Sequence, residues 1–498
     1  MDPARSRRHH GSFIRAVSAA GLGLVLSTGS AFAINAALED DPATSGFQQL
    51  DDFITGLNTH SETLHIVAHH GRLFAGLGRW VQSDTNPDIG AQVIVKDSAS
   101  DDWDVFDTFD YTVRVTGLRS VTVPSSANGG GGNVDVLLAQ SHNLVSGNQE
   151  MTLVWALDGD SSFTGSYQLG GPEDTRAFYG RLEGSTYAFY AGVSDTGIYR
   201  GTWNAATQTI NWSSTPELII DSGTNVGNEG RVLAMAECNG ALYAAVKRRI
   251  YRRNDGGTLV TDTDSVGDNN SRWVRVNVEN IRGSAPSGWR GLTCVTQGSA
   301  PALLATYESS DGTVLTPVPY AGKMVRFGSL PTGDLSAKAD WSATIEADIG
   351  DTIAAGLTAM GRTTANSAIG YAIAAYNEWQ PYTYGGVLRH AAGVQWFWNG
   401  GCPSDRQCQT SSSDAAACFI TRSPGTTPTF AFDCLQGTNM ALVSKDADGV
   451  IEYREAFNAV RTIEPAPWDG DIFYYGGIDG NNIAHNGSAW IASFNLTP

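Results

Sequence analysis

Residues 230–278 read GRVLAMAECNG, ALYAAVK, RRIYRRND and, after a polar connection, RWVRVNV. Each piece is a short run in which Val, Ala, Tyr and Leu alternate, and the pieces are bounded by Asn-Gly, Asp-Gly or Gly-Gly. Such runs between turn dipeptides predict four antiparallel strands in a meander. The block recurs upstream as ETLHIVAHHG, RLFAGLG, AQVIVKDS and DWDVFDTF, and as TRAFYGRLEGS, TYAFYAGV, GIYRGTW and TINWSST.

Counted from the first residue of the first strand, blocks open at Glu62, Arg119, Arg176, Arg231, Arg290, about Asp351 and Arg461. The spacings are 57, 57, 55, 59, 61 and 110, the last being one repeat plus an insertion. A four-stranded unit repeated at this period cannot bury its faces alone and predicts an all-β, seven-bladed β-propeller. The insertion, 377–437, is expected between YAIAAYN as second strand and MALVSKD as third, as a disulfide-stapled aromatic flap on blade six. The last block offers three strands, and the fourth is expected from Phe47–Ile54, which would close the ring and remove an open sheet edge.

The blocks resemble the secreted bacterial β-propeller superfamily, and the closing stretch Gly476–Ile491, GGIDGNNIAHNGSAWI, is similar to the ends of such chains. That resemblance implies architecture and leaves function open, since propellers include lyases, glycosidases, lactonases and binding platforms.

The 498 residues are 41% hydrophobic and 17% charged, enough for a large core, and 32 basic against 51 acidic residues give a net charge of −19. A field of that sign argues against nucleic acid and anionic membranes as partners. Arg5, Arg7, Arg8 and Arg15 precede an apolar run, Ala16–Ser27, and then Ala31-Phe32-Ala33. This is the order of a secretory signal peptide, residues 1–33, cut after Ala33, with 34–498 as the mature propeller in an extracellular or periplasmic setting. Six cysteines suit that compartment. Cys402, Cys408, Cys418 and Cys434 are expected to form two local disulfides of undetermined pairing. Cys238 and Cys294, offset by three positions in neighbouring inner strands, are expected to be buried thiols about 10 Å apart.

The opening residue of the inner strand is Arg in five blocks: Arg119, Arg176, Arg231, Arg290 and Arg461. A ring of guanidinium groups at one channel mouth would grip carboxylate or sulfate; pairing with Glu62, Glu183, Glu237 or Glu464 is the structural alternative. The insertion adds Trp379, Trp396 and Trp398 as stacking surfaces for sugar rings, or as the core of a small subdomain. His142, ending the second strand of blade two, and His485, in the corresponding connection of blade seven, lie on the same face and could transfer protons near neutrality, with Tyr376 as a reserve acid. His65, His69 and His70 lack the helical HExxH pattern of a metalloprotease and read as channel or turn residues. No metal site or cofactor is expected, although the oxygen-rich run Asp262–Ser271 could hold a structural calcium if it is not simply a solvated hairpin. Neither a GxSxG elbow nor a phosphate loop occurs.

The expected function is cleavage of an acidic extracellular polysaccharide by β-elimination, carried out by a monomer. Arg231 and Arg290 would neutralise the uronate, and His142 or His485 would take the proton. The alternatives are a non-catalytic glycan-binding adhesin and a hydrolase of esters, lactones or glycosides.

Overall fold

The computed structural model describes residues 36–38 and, with interruptions at loops, 62–495; between 353 and 453 the strands are described by their backbone. The chain divides into Met1–Phe32 and Ala33–Pro498, and the first unit, with the expected signal peptide, lies outside the described residues. Among the described residues there is no helix, and every strand pairing is antiparallel.

Consecutive strands form consecutive meanders. Glu62–His69, Arg72–Gly78, Ala91–Lys96 and Asp104–Phe109 make the first, and Thr112–Val123, Val134–Asn143, Glu150–Leu157 and Gly165–Gly170 the second. These two are joined into one sheet by the pairing of Gly78 with Arg114. The third begins with Thr175–Glu183, the fourth with Val232–Cys238, the fifth with Gly288–Gln297 and the next with Ile353–Arg362. The final sheet comprises Ala459–Ala466, Asp469–Ile478, Ala489–Asn495 and Ala36–Leu38. First strands meet in chain order, each packing on the next, and the Ala459–Ala466 strand returns to pack on Glu62–His69. The result is a β-propeller.

Packing explains the composition of the second strands. Leu73 and Ala75 join Tyr474 and Ile491 on one side of their sheet, while Phe74 joins Val93, Val115 and Leu137 on the other. Phe189 and Ala191 pack toward the second sheet, whereas Ala188 and Tyr190 pack with Leu242, Ala244 and Trp273 of the fourth. Tyr243 and Ala245 in turn meet Leu303 and Phe327 of the fifth. A strand covered on both faces has no polar side, so it reads as a continuous apolar run.

Several sequence-based expectations change. The second sheet's first strand opens at Thr112, seven residues before Arg119, because it is a 12-residue strand whose early part also pairs with the first sheet. The strand that closes the last sheet is Ala36–Leu38, paired through Ala36 with Phe494 and Leu38 with Ala492. Phe47–Ile54 lies outside the described residues. The segment 377–437 does not stand apart from its sheet: Val387–Ala391 and Ala415–Arg422 both pair with Ile369–Glu378, and Phe430–Gln436 follows. Val443–Lys445, expected as a third strand, pairs instead with Ile451–Tyr453 in a separate two-stranded ladder. The alternating apolar stretches around Cys418 and Cys434 are sheet strands, and the register sets those two residues opposite each other.

Cys238 and Cys294 are not thiols but a disulfide, with Cα atoms 5.1 Å apart. Cys238 directly precedes its hairpin turn, whereas the Gly288–Gln297 strand runs three residues beyond Cys294 before turning. The two strands belong to different, mutually twisted sheets, so equal distance from a hairpin is not equal height along the axis.

Gly165 lies directly opposite Trp155, and a Cβ there would sit 2.0 Å from the indole of that buried side chain. Gly165→Ala is expected to cost about 2 kcal/mol of unfolding free energy through overpacking. Urea denaturation checks this, with exposed Ser166→Ala unchanged within about 0.5 kcal/mol.

Candidate functional site

Each first strand carries a register irregularity near its start. It falls between Thr63 and His65, Val115 and Gly117, Thr175 and Ala177, Val232 and Ala234, Arg290 and Leu292, Ala354 and Gly356, and Val460 and Thr462. A recurring bulge is a structural ruler for the ring. By it, Arg176 and Arg461 are the bulged residues, Arg290 precedes its bulge, and Arg231 lies just before its strand. Arg119 stands three residues past its bulge. The five arginines therefore do not share one position in their strands. Arg176 and Arg231 are part-exposed and engaged in interactions of their own.

The same ruler brings together residues that composition alone did not single out. Three residues past the bulge stand Arg119, Tyr179 and Glu464. Arg119 is exposed, and Tyr179 and Glu464 are part-exposed. Glu464 Oε1 accepts a hydrogen bond from the Ala68 backbone N–H at 3.0 Å. Burial of the carboxyl pushes its pKa up to about 7, against the opposing influence of that N–H and of the Arg119 charge. Burial, with the nearby Glu237 carboxylate, also raises the Tyr179 phenol; Arg119, the Glu237 backbone and Arg181 act the other way. Tyr187, beside them, is pushed up to about 12 by burial. The inner ring thus holds a permanent cation, a neutral phenol and a carboxyl that titrates near neutrality.

A second polar cluster braces the third sheet against the fourth. Arg253, 2% exposed, forks onto Glu217 with Nε to Oε2 at 2.7 Å and Nη2 to Oε1 at 2.8 Å. Its Nη1 reaches Glu183 at 2.9 Å and Asp255 at 2.5 Å, and the guanidinium stacks 5.4 Å from the Tyr190 ring centre. Arg200 donates to Glu183 at 2.7 Å, Trp273 Nε1 to Glu217 at 3.0 Å, and Tyr190 to Glu183. Each carboxylate here already accepts from the protein, so the cluster serves cohesion more than ligand binding.

The amino-terminal histidines belong to a seam between the first two sheets. His65 Nε2 lies 2.8 Å from the Thr116 carbonyl, and His69 Nδ1 2.9 Å from Ser120 Oγ. Burial lowers the His69 pKa to about 4, which keeps its ring neutral at physiological pH. Exposed His70 bridges two carboxylates, Asp135 at 3.1 Å and Asp158 at 2.9 Å. Among the described residues no group of three His, Cys, Asp or Glu side chains is arranged to hold a metal ion.

For the other expected site residues the structure gives position alone. His142 pairs in register with Arg114, and Tyr376 with Ile353 and Arg389. Trp379, Trp396, Trp398 and His485 lie outside the described residues, as do Asp262–Asn269 of the calcium candidate.

No protein-family profile matches the chain, and no curated protein matches it. Among solved structures, it is similar to Sqt1 from Chaetomium thermophilum, with a TM-score of 0.43, 12% identity and 87% of each chain covered. It is also similar to the GH93 α-L-arabinofuranosidase of Fusarium graminearum in complex with arabinobiose, with a TM-score of 0.39, 8% identity and 94% of this chain and 98% of that one covered. A third is the β-propeller domain of Cps50 (Swd1) from Myceliophteria thermophila, with a TM-score of 0.40, 10% identity and coverage of 88% and 97%.

Removing Arg253 would take from part-buried Glu217 the guanidinium that forks onto it and leave it Trp273, while Glu183 keeps Arg200 and Tyr190. Arg253→Met is expected to destabilise the protein by about 3–5 kcal/mol, read as a lowered midpoint of thermal unfolding, with the secondary structure of the folded fraction unchanged by circular dichroism.

Proposed function

We propose that this protein is a secreted, monomeric enzyme that cleaves an acidic extracellular polysaccharide by β-elimination at the inner ring of a seven-bladed propeller. The observation that carries the reading is the placement of Arg119, Tyr179 and Glu464 at equivalent positions of three first strands. Elimination from a uronate needs a cation to neutralise the carboxylate, a base for the adjacent C–H, and an acid for the departing oxygen.

Arg119 takes the first role, since its guanidinium can fork onto a carboxylate. Glu464, ionised above about pH 7, takes the proton. The C–H electron pair becomes the new C=C bond as the C–O bond to the leaving sugar breaks, and the Tyr179 hydroxyl protonates the departing oxygen. Proton exchange with water restores both groups, and no cofactor enters the balance. Arg176, Arg231, Arg290 and Arg461 would hold further uronates, and Trp379, Trp396 and Trp398 would stack on neighbouring sugars. His142 or His485 as the base is the competing assignment.

Ultraviolet absorbance during incubation with a panel of uronate polysaccharides tests the reading. Unsaturated product should accumulate, and kcat/KM should rise with pH through about 7, because the base works only when deprotonated. Glu464→Gln and Arg119→Ala should each lower kcat/KM at least about 100-fold, while the His142→Ala, His485→Ala double variant stays active. New reducing ends without absorbance would favour a glycoside hydrolase, which the raised carboxyl of Glu464 as acid, with Glu237 as a second carboxylate, would also suit. Saturable binding with no product would leave the adhesin.

A further inference from the structure

The first two sheets are joined at both ends of their inner strands, and by different means. At the bulged end the backbone of Gly78 pairs with that of Arg114. At the hairpin end one side chain makes the link: His70 Nδ1 stands 3.1 Å from Asp135 Oδ2, and Nε2 2.9 Å from Asp158 Oδ1. His70 follows the Glu62–His69 strand, Asp135 lies in the second strand of the second sheet, and Asp158 follows the third strand of that sheet. A neutral imidazole carries one N–H, so it can donate to only one of these carboxylates and turns a lone pair toward the other, whereas the imidazolium can donate at both nitrogens. The turn itself does not call for an imidazole. His70 and Gly71 have φ of +47° and +77°, and the matching turn of the fourth sheet meets the same need with Asn239 and Gly240 at +49° and +74°, the ordinary pair for such a turn.

We propose that His70 is a proton-operated clamp between the first two sheets: its imidazolium ties the hairpin to both Asp135 and Asp158, and loss of the proton releases one of them. The surroundings suit that role. Asp135 Oδ1 accepts from Thr122 at 2.6 Å. Although burial opposes it, that bond and the one to His70 hold the Asp135 carboxyl below its usual range, so it stays charged while an imidazole gives up its proton. Arg72, on the same hairpin, reaches Asp97 at 3.5 Å and lies over the Phe74 ring. Asp160 accepts from the Leu157 backbone N–H and from Thr164. His69 is kept neutral by burial, with its Nδ1 against Ser120. These neighbours are occupied elsewhere, and the two aspartates face His70. The clamp stands apart from the inner-ring chemistry and does not depend on it.

Hydrogen–deuterium exchange of the hairpin segment 66–73 tests the clamp. The wild-type protein is compared with His70→Asn, which suits the turn, and with Asp158→Asn, which removes one arm and leaves the turn alone. Exchange is read at about pH 5.5 and about pH 8, on either side of the range in which an imidazole titrates, and is corrected for the intrinsic rate at each. Protection of the wild-type segment should fall about threefold from the lower pH to the higher, the scale of an exposed ion pair. Both variants should show the lower protection at both pH values. Glu464 accepts from the Ala68 N–H in the same segment and also titrates near neutrality. The series is therefore repeated in a Glu464→Gln background, where the fall should persist. Wild-type protection that does not change with pH overturns the proposal, and so does a fall of equal size in His70→Asn. A fall that disappears with Glu464→Gln assigns the switch to that carboxyl and overturns the proposal as well.

Discussion

The architecture depends on one constraint, that a sheet such as the first, third or fourth is buried on both faces. Residues 73, 74 and 75 alternate between two different hydrophobic clusters, as do 188 to 191 and 242 to 245. An apolar sheet of this kind is stable only between two neighbours, so the sheets must continue around until the last covers the first. The Ala459–Ala466 strand packing on Glu62–His69 satisfies that requirement. Polar groups are thereby driven to the rims and the inner ring, or into braces such as the fork of Arg253 on Glu217.

Much of the fold was legible because this constraint leaves a trace in sequence. Runs such as YAFYAGV and ALYAAV are buried at every position for a reason that has little to do with the chemistry of any one residue, and their recurrence gave the meander. Where the trace is interrupted, the reading failed. The strands Ala415–Arg422 and Phe430–Gln436 were hidden by a surrounding run of Ser, Thr and Cys that suggested a loop. The three-residue strand Ala36–Leu38 is too short to show a period, so the longer stretch Phe47–Ile54, FQQLDDFI, drew the assignment instead.

The inner-ring site was less legible, because the register of the first strands is fixed by bulges and a bulge has no fixed composition. Leu, Thr, Arg, Gly and Ala all occupy the bulged position. Aligning the repeats on arginine therefore set Arg119 level with Arg176, when its structural counterpart is Tyr179. The disulfide was missed for a related reason: strands of separate sheets are offset by twist, which no count along the chain reveals. Glu464 stood in the sequence only as a partner for arginine; what distinguishes it is the burial of its carboxyl group, a property of the folded ring.

Closure by Ala36–Leu38 bears on the history of the molecule as well as its rest state. That segment pairs with residues 492 to 494, so the contact spans almost the whole chain. A ribosome delivers the first partner long before the second, and until the second emerges the first and last sheets each present an uncovered face and an unpaired edge. Early sheets can stack as they are made, but closure joins segments made far apart in time, the slowest kind of contact to form. Until that contact forms, the sheets already made are an open arc with an uncovered apolar face, the state most exposed to aggregation.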